Sequence, residues 1–356
     1  MELSSKSEYR VRRAIFKVGV AVVTGILFTT AISFAISRNT TVSRQEPIML
    51  EIHLAGERAQ FHLGEIIRVD LSYRSDRQDK VPVMVWDCPS RDIYDYHVDP
   101  PVFSDRSIEL DAAMSVDVGV CGGPLQEMDL STSPLKYQHI LNSFLRPDVP
   151  GKYHLSLTSN HLRFPITSNS VDLEILSSDR EWEAVELSRA LFLIKSPPQN
   201  PGHEEGCDIL RFLGTDAAEL EMARNYVSCG SILSPAIISA RNRKSVLEEL
   251  EAGFVDSKVG IFPDYIRTIA FISLYVQHPD WYPNPASHSA RSDGAYSAPI
   301  RGKMWSNNEA IVNEELRYAN LLFQVLPQKS ADARVQSVQT LMNLEQTLGI
   351  KWTPGY

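Results

Sequence analysis

The chain is short of the motifs that would announce a chemistry. Its 356 residues include only four cysteines, and no two of them form a Cys-x-x-Cys pair, so the usual zinc spacing is missing and no metal is expected. No Gly-x-Ser-x-Gly elbow is present, which argues against an α/β-hydrolase. A phosphate-cradling Gly-x-x-x-x-Gly-Lys loop and a dinucleotide fingerprint are missing too, so no cofactor is expected. Basic residues are the minority, 35 against 44 acidic ones, for a net charge of −9. Residues 1–35 carry +3, which leaves −12 on the remainder. A body that acidic repels phosphate backbones and excludes nucleic acid as a natural partner.

What is present is an ordinary globular composition, 43% apolar and 22% charged, over a length that suggests two folded units. One charge-free apolar run stands at the front. From Val18 to Ser37 twenty residues read VGVAVVTGILFTTAISFAIS, preceded by Arg10, Arg12, Arg13 and Lys17. Twenty helical residues span roughly 30 Å, the thickness of a bilayer core. The basic flank keeps residues 1–17 in the cytoplasm, a stub too short to fold alone. Residues 18–37 therefore read as a transmembrane anchor or a signal peptide. Ser33-Phe34-Ala35 suits cleavage, but the run exceeds the ~7–15 residues of a usual signal core, which favours an anchor. The body is expected in the periplasm or outside the cell.

That compartment favours disulfides. Cys88, Cys121, Cys207 and Cys229 allow three pairings. The one that keeps each bridge within one half of the chain joins Cys88 to Cys121 and Cys207 to Cys229.

Residues 46–176 alternate like half-buried strands. Ile48, Leu50, Ile52 and Leu54 share a face, as do Ile67, Val69 and Leu71, then Val81, Val83 and Val85, and finally Val171, Leu173 and Ile175. Turn residues between the runs suggest a β-sandwich. Asp148-Val149-Pro150-Gly151 reads as a turn leading into Tyr153, Leu155 and Leu157. A tyrosine at that place is similar to the structural tyrosine corner of immunoglobulin-like domains, with Asp148 and Gly151 in its turn. The stretch from Phe103 to Thr132 reads as an irregular loop tied down by a Cys88–Cys121 bridge.

From residue 179 to 350 the period becomes helical. Ser178 is the expected cap of a helix burying Ala184, Leu187, Leu191 and Ile194. A short helix is expected over 207–213. Thr215 caps another that faces Ala217, Leu220, Ala223 and Val227 inward. Helices carrying Leu247, Leu250 and Phe254, then residues 263–276, follow. A capping box at Ser306-Asn307-Asn308-Glu309 opens a helix with Val312, Leu316, Ala319, Phe323 and Leu326 inward. The last, from Ser330 to Gly349, would bury Val335, Val338, Leu341 and Leu348. Such antiparallel pairs suggest a HEAT-like stack or irregular bundle. Between them residues 277–305 form a long Pro-, Ser- and Gly-rich loop. It reads as a surface insertion or, through Trp281, Tyr282 and Tyr296, as a binding loop.

IYDYHVDPP (93–101), PGKYHLSL (150–157), ITSNSVDLEIL (166–176), EWEAVELSRAL, CDILRFLGT (207–215) and YIRTIAFISL (265–274) give the chain a resemblance. It resembles a group of uncharacterised exported bacterial proteins with an immunoglobulin-like front and a HEAT-like helical back. The resemblance spans most of residues 46–275. It implies that architecture, a secreted or membrane-tethered life and a Cys207–Cys229 pair. It brings no activity and no site residue.

The densest ligand-like run is His203-Glu204-Glu205-Gly206-Cys207-Asp208, read as the solvated start of a helix. His97 and Asp99 share a strand face, but two ligands do not make a site. No catalytic residue is assigned. The function expected is a non-catalytic extracytoplasmic protein-binding or scaffold module, tethered through residues 18–37. An extracytoplasmic hydrolase with a site at the interdomain junction is the alternative, and a signalling ectodomain the third reading.

Overall fold

A computed structural model describes residues 48–76, 81–85, 94–100, 126–131, 133–145, 147, 149–159, 165–281 and 308–348. Cys88, Cys121, Asp148, Tyr282 and Tyr296 lie outside the described residues, as do residues 18–37, Ser306, Asn307 and Gly349. Among the described residues no helix is long and apolar enough to cross a membrane.

A β region comes first and a helical region follows. The strands are β1 (Ile48–Leu54), β2 (Gln60–His62), β3 (Arg68–Ser75), β4 (Pro82–Val85), β5 (Tyr94–Asp99), β6 (Gln126–Asp129), β7 (Leu135–Ile140), β8 (Gly151–Ser159), β9 (Ile166–Thr167) and β10 (Val171–Leu176). One sheet runs β1-β3-β7, and a second runs β2-β10-β8-β5 with β9 on β8. β10 is parallel to β2 and antiparallel to β8. β4 and β6 form a separate pair, so a strand closes the stretch that the sequence suggested was irregular.

Alternation sets which side of each strand is dry. Val69, Leu71 and Tyr73 of β3 are buried, as are Tyr153, Leu155 and Leu157 of β8. The buried faces of the two sheets touch. Tyr73 Oη donates to Ser159 Oγ at 2.6 Å, and Tyr94 meets the His139 ring edge-on at 4.5 Å. Burial pushes the Tyr73 phenol up to about 12. Two side-chain amides stand in for missing backbone partners. Asn142 accepts from Ile67 N at 2.7 Å and donates to Glu65 O at 2.9 Å. Asn169 accepts from Ile52 N at 2.8 Å and donates to Ile52 O at 3.1 Å.

The helices are α1 (Arg180–Ile194), α2 (Pro201–Leu213), α3 (Asp216–Arg224), the single turn α4 (Tyr226–Cys229), α5 (Ser234–Ile238), α6 (Arg243–Val255), α7 (Pro263–Gln277), α8 (Asn308–Val325) and α9 (Ala331–Leu348). Asp179, not Ser178, caps α1, accepting from Trp182 N at 2.8 Å; Ser178 donates to Glu183 instead. Thr215 caps α3 as expected, at 3.2 Å from Ala218 N. α7 is buried along most of its length and forms the centre of the helical core.

Four inward faces differ from the apolar count. α1 buries Ala190 and Ile194, while Ala184, expected inside, faces out. α3 buries Ala218, Met222 and Ala223 while Ala217 and Val227 face out, a stripe shifted by one residue. α8 buries Ile311, Glu314, Tyr318, Ala319 and Leu322. α9 buries Ala333, Ser337, Thr340, Leu341 and Leu344, and exposes Val335 and Val338. Polar residues win those positions because they hold backbone. Ser337 Oγ accepts from Ile261 N at 3.1 Å, and Thr340 Oγ1 donates to Ile261 O at 2.7 Å. An unpaired buried amide costs more than an exposed valine.

Tyr153 is buried, and its hydroxyl donates to Val149 O at 2.6 Å, four residues upstream. A Cβ at Gly151 would meet the ring at ordinary contact distance. Replacing Tyr153 with Phe removes one hydrogen bond with little change in volume. It is expected to cost about 1 kcal/mol of stability. Urea unfolding followed by tryptophan fluorescence measures it, and an unmoved midpoint would show that the bond contributes nothing.

Candidate functional site

The one dense cluster of ligand-type side chains flagged in the sequence lies on α2, and the structure changes its setting. Asn200 caps the helix, accepting from Gly202 N at 2.9 Å, and Pro201 occupies its first turn. The helix therefore begins six residues earlier than the expected 207–213. The polar run 203–208 is part of the helix rather than its solvated approach. His203 and Cys207, four residues apart, share one face.

That face carries a disulfide. Cys207 and Cys229 are joined at 2.07 Å across 22 residues of sequence, which ties α2 to the end of α4. His203 is buried beside it. Its Nδ1 lies 2.9 Å from Ser196 O and its Nε2 3.0 Å from Ser228 O. One ring nitrogen and the two sulfurs all lie within 4.8 Å of one another. Spacing alone hid this grouping, because Cys229 reaches it through the fold and not through the helix.

The adjoining face of α2 packs tightly. A Cβ on Gly206 would stand 2.8 Å from Ala190 O and 2.9 Å from Leu193 Cβ, so glycine lets α1 and α2 close. Glu205 pairs with Arg189 of α1. At the C-terminal end of α2, Gly64 of the β2–β3 turn has φ +85°, and a Cβ there would lie 2.7 Å from Leu213 O. Ile66 packs onto the helical core, and His62 stacks on Trp182 at 4.7 Å. The β and helical regions are thus in direct contact around α2.

Asp208 of α2 lies within electrostatic range of Arg68 of β3. It is buried, and burial raises its carboxyl to about 6; Arg211 and Arg68 oppose the rise, while Glu204 and Glu205 add to it.

The other residues singled out from sequence are scattered. His97 Nε2 lies 3.1 Å from Thr158 Oγ1 and 3.6 Å from Asp95, on the exposed side of β5. Trp281 is half-buried, stacked on His278 at 4.1 Å and packed against the cluster formed by Ile238, Phe271, Leu274, Tyr275 and Ile311. It belongs to a small core and is not a free loop aromatic, because the 3-10 turn Pro279–Trp281 folds it back onto α7.

Sequence reasoning passed over four buried polar groups. Glu219 accepts from the backbone N–H of Arg241 and Asn242 at 2.9–3.2 Å, ahead of α6. Tyr226, Ser234 and Thr268 form a closed ring of hydroxyls in the core. Lys329 Nζ donates to Phe254 O and Asp256 O at 2.6 Å each, capping α6; burial lowers its pKa and Asp256 opposes. Burial alone would raise the Glu314 carboxyl, but bonds from Arg317 and Ser273 hold it below the usual range. Only the run of acidic residues before basic ones on α8 hinted at any of these.

Comparison with models of known protein families and with curated proteins finds no match to the chain.

The Asp208 shift has a definite sign. The folded carboxyl holds its proton up to about pH 6, whereas an unfolded one releases it near 4. Between those values the native state binds more protons, so stability falls as pH rises, by about 3 kcal/mol at most, and is flat above. Asp208→Asn removes this dependence. The variant is expected to be more stable than the parent at pH 7–8 and to lose the slope between pH 4 and 6.5. Parallel denaturation midpoints across that range read it, and identical slopes would remove Asp208 as the titrating group.

Proposed function

We propose that this chain is an extracytoplasmic, non-catalytic protein-binding module. Residues 18–37 tether it to the inner membrane or direct its secretion, and its contact surface lies on the outward side of the helical region. The observation that carries the reading is the apolar stripe on α9. Val335, Val338 and Met342 stand at helical spacing and are 72%, 38% and 56% exposed. A large apolar face that stays in water is a recurrent mark of a protein contact. On α1, Val185 and Phe192 form a second such pair one heptad apart.

The front of the module is an immunoglobulin-like sandwich in this reading. The division of strands supports it: β1, β3 and β7 match one sheet of that fold, and β5, β8 and β10 the other. The Tyr153 hydroxyl bonded upstream at the start of β8 supports a tyrosine corner there. The helical back is HEAT-like or an irregular bundle. The resemblance to exported bacterial proteins and the Cys207–Cys229 bridge both suit an oxidising compartment.

Two measurements test the proposal. A reporter fused at the C-terminus should be active only outside the cytoplasm, and a cytosolic signal would overturn the localisation. Crosslinking in intact cells should yield a defined partner band with the parent chain. Val335→Asp with Met342→Asp should remove that band while leaving the melting temperature within a degree or two, since surface changes are near neutral. A band retained by this variant, yet lost on deletion of 277–305, would move the contact surface to the loop.

A further inference from the structure

We propose that the chain associates with copies of itself head to tail: the outward stripe of α9 on one copy packs on the outward stripe of α1 on the next. The proposal rests on the reading of α9 as a contact surface given above, and it supplies the partner.

Among the described residues α1 and α9 are the first and last helices of the helical region, and they pack on different parts of it. α1 lies mainly on α2, and α9 on α7 and α8. Five of the eight large apolar side chains that stand out in water among the described residues are on these two helices. In stacked-helix proteins an outward face is the surface on which a further helix would pack, so end helices need a polar outer face to stay apart. Neither of these has one. Along α1 the outward line is Ala184, Val185, Ser188 and Phe192, all exposed. Along α9 it is Val335, Val338, Gln339 and Met342, also exposed. No charge falls within either line.

The two lines match in spacing. Val185, Ser188 and Phe192 stand at i, i+3 and i+7, and so do Val335, Val338 and Met342. With the helices laid parallel and Val185 beside Val335, Phe192 falls beside Met342, and the short Ser188 leaves a groove for Val338. The same register sets Lys195 beside Glu345 and brings Arg334 within a turn of Glu181. Opposite charges therefore bracket the apolar contact and fix its direction. Other pairings of two copies lack this match. Turning α1 antiparallel brings Glu181 and Glu183 towards Glu345. Packing α9 on α9 antiparallel, with Val335 beside Met342, sets Asp332 against Glu345. Like charges in contact oppose both arrangements.

The contact is heterologous, so a pair of copies still offers one α1 stripe and one α9 stripe, and growth continues past the dimer. A single helix pair covers little area, which places the contact among the weak, reversible ones. It runs through helices and leaves the sheet edges unused.

Sedimentation of the full chain in a non-ionic detergent, over about 1–100 μM, tests the proposal. The parent is expected to pass from monomer to dimer and larger species as concentration rises. Val335→Asp with Met342→Asp, and separately Val185→Asp with Phe192→Asp, should each leave a monomer with an unchanged melting temperature. Mixed in equal amounts, the two variants should form a dimer and nothing larger, because one intact α9 stripe and one intact α1 stripe remain between them. Lys195→Glu should weaken association several-fold, and the further change Glu345→Lys should restore it. That last readout stands even if an aspartate variant folds poorly. A parent chain that stays monomeric throughout would overturn the proposal; a crosslinked band in cells that holds a different protein and is lost with the α9 variant would then leave the contact surface standing. A closed dimer indifferent to the α1 variant, or a mixture that stays monomeric, would overturn the proposal as well.

Discussion

Helix α2 is the constraint on which the two regions close. The absence of a Cβ at Gly206 lets α1 lie against it, and the absence of one at Gly64 lets the β2–β3 turn abut its last carbonyls. Its third face is bonded to Cys229. Little space is left along the helix for adjustment, because close-packed interiors transmit a displacement and do not absorb it. A shift of α2 would reach the sheet through Gly64 and Ile66, and the helical core through the disulfide.

The strands were legible in the sequence because alternation is a local signal. Ile67, Val69 and Leu71 fall on the buried face that their period implies. Helix existence was legible for the same reason, but helix orientation was less so. On α9 an apolar count selects Val335 and Val338, whereas the structure turns Ser337 and Thr340 inward to hold the backbone of Ile261. That choice depends on a partner 76 to 79 residues away, which no window along the helix contains. Glu314 on α8 is a second case: a carboxylate reads as surface until Ser273 and Arg317 surround it.

The candidate site divides in the same way. His203 and Cys207 were adjacent enough to be noticed, and the resemblance implied the pairing with Cys229. What sequence could not supply was the start of α2 at Pro201, which converts a polar approach into a helical face. Nor could it supply the carbonyls of Ser196 and Ser228 on either side of the ring. Asp208 looked like one more solvated acid, yet the fold buries it.

The hook of Asn169 on Ile52 bears on how the chain avoids its own kind. Among the described residues β1 is the outer strand of its sheet, and an open strand border is a template on which further chains can polymerise. The Asn169 amide occupies both the N–H and the C=O of Ile52, halfway along that border. A neighbouring molecule trying to extend the sheet would find its central rung already taken. One side chain thereby serves as a stopper against fibre growth.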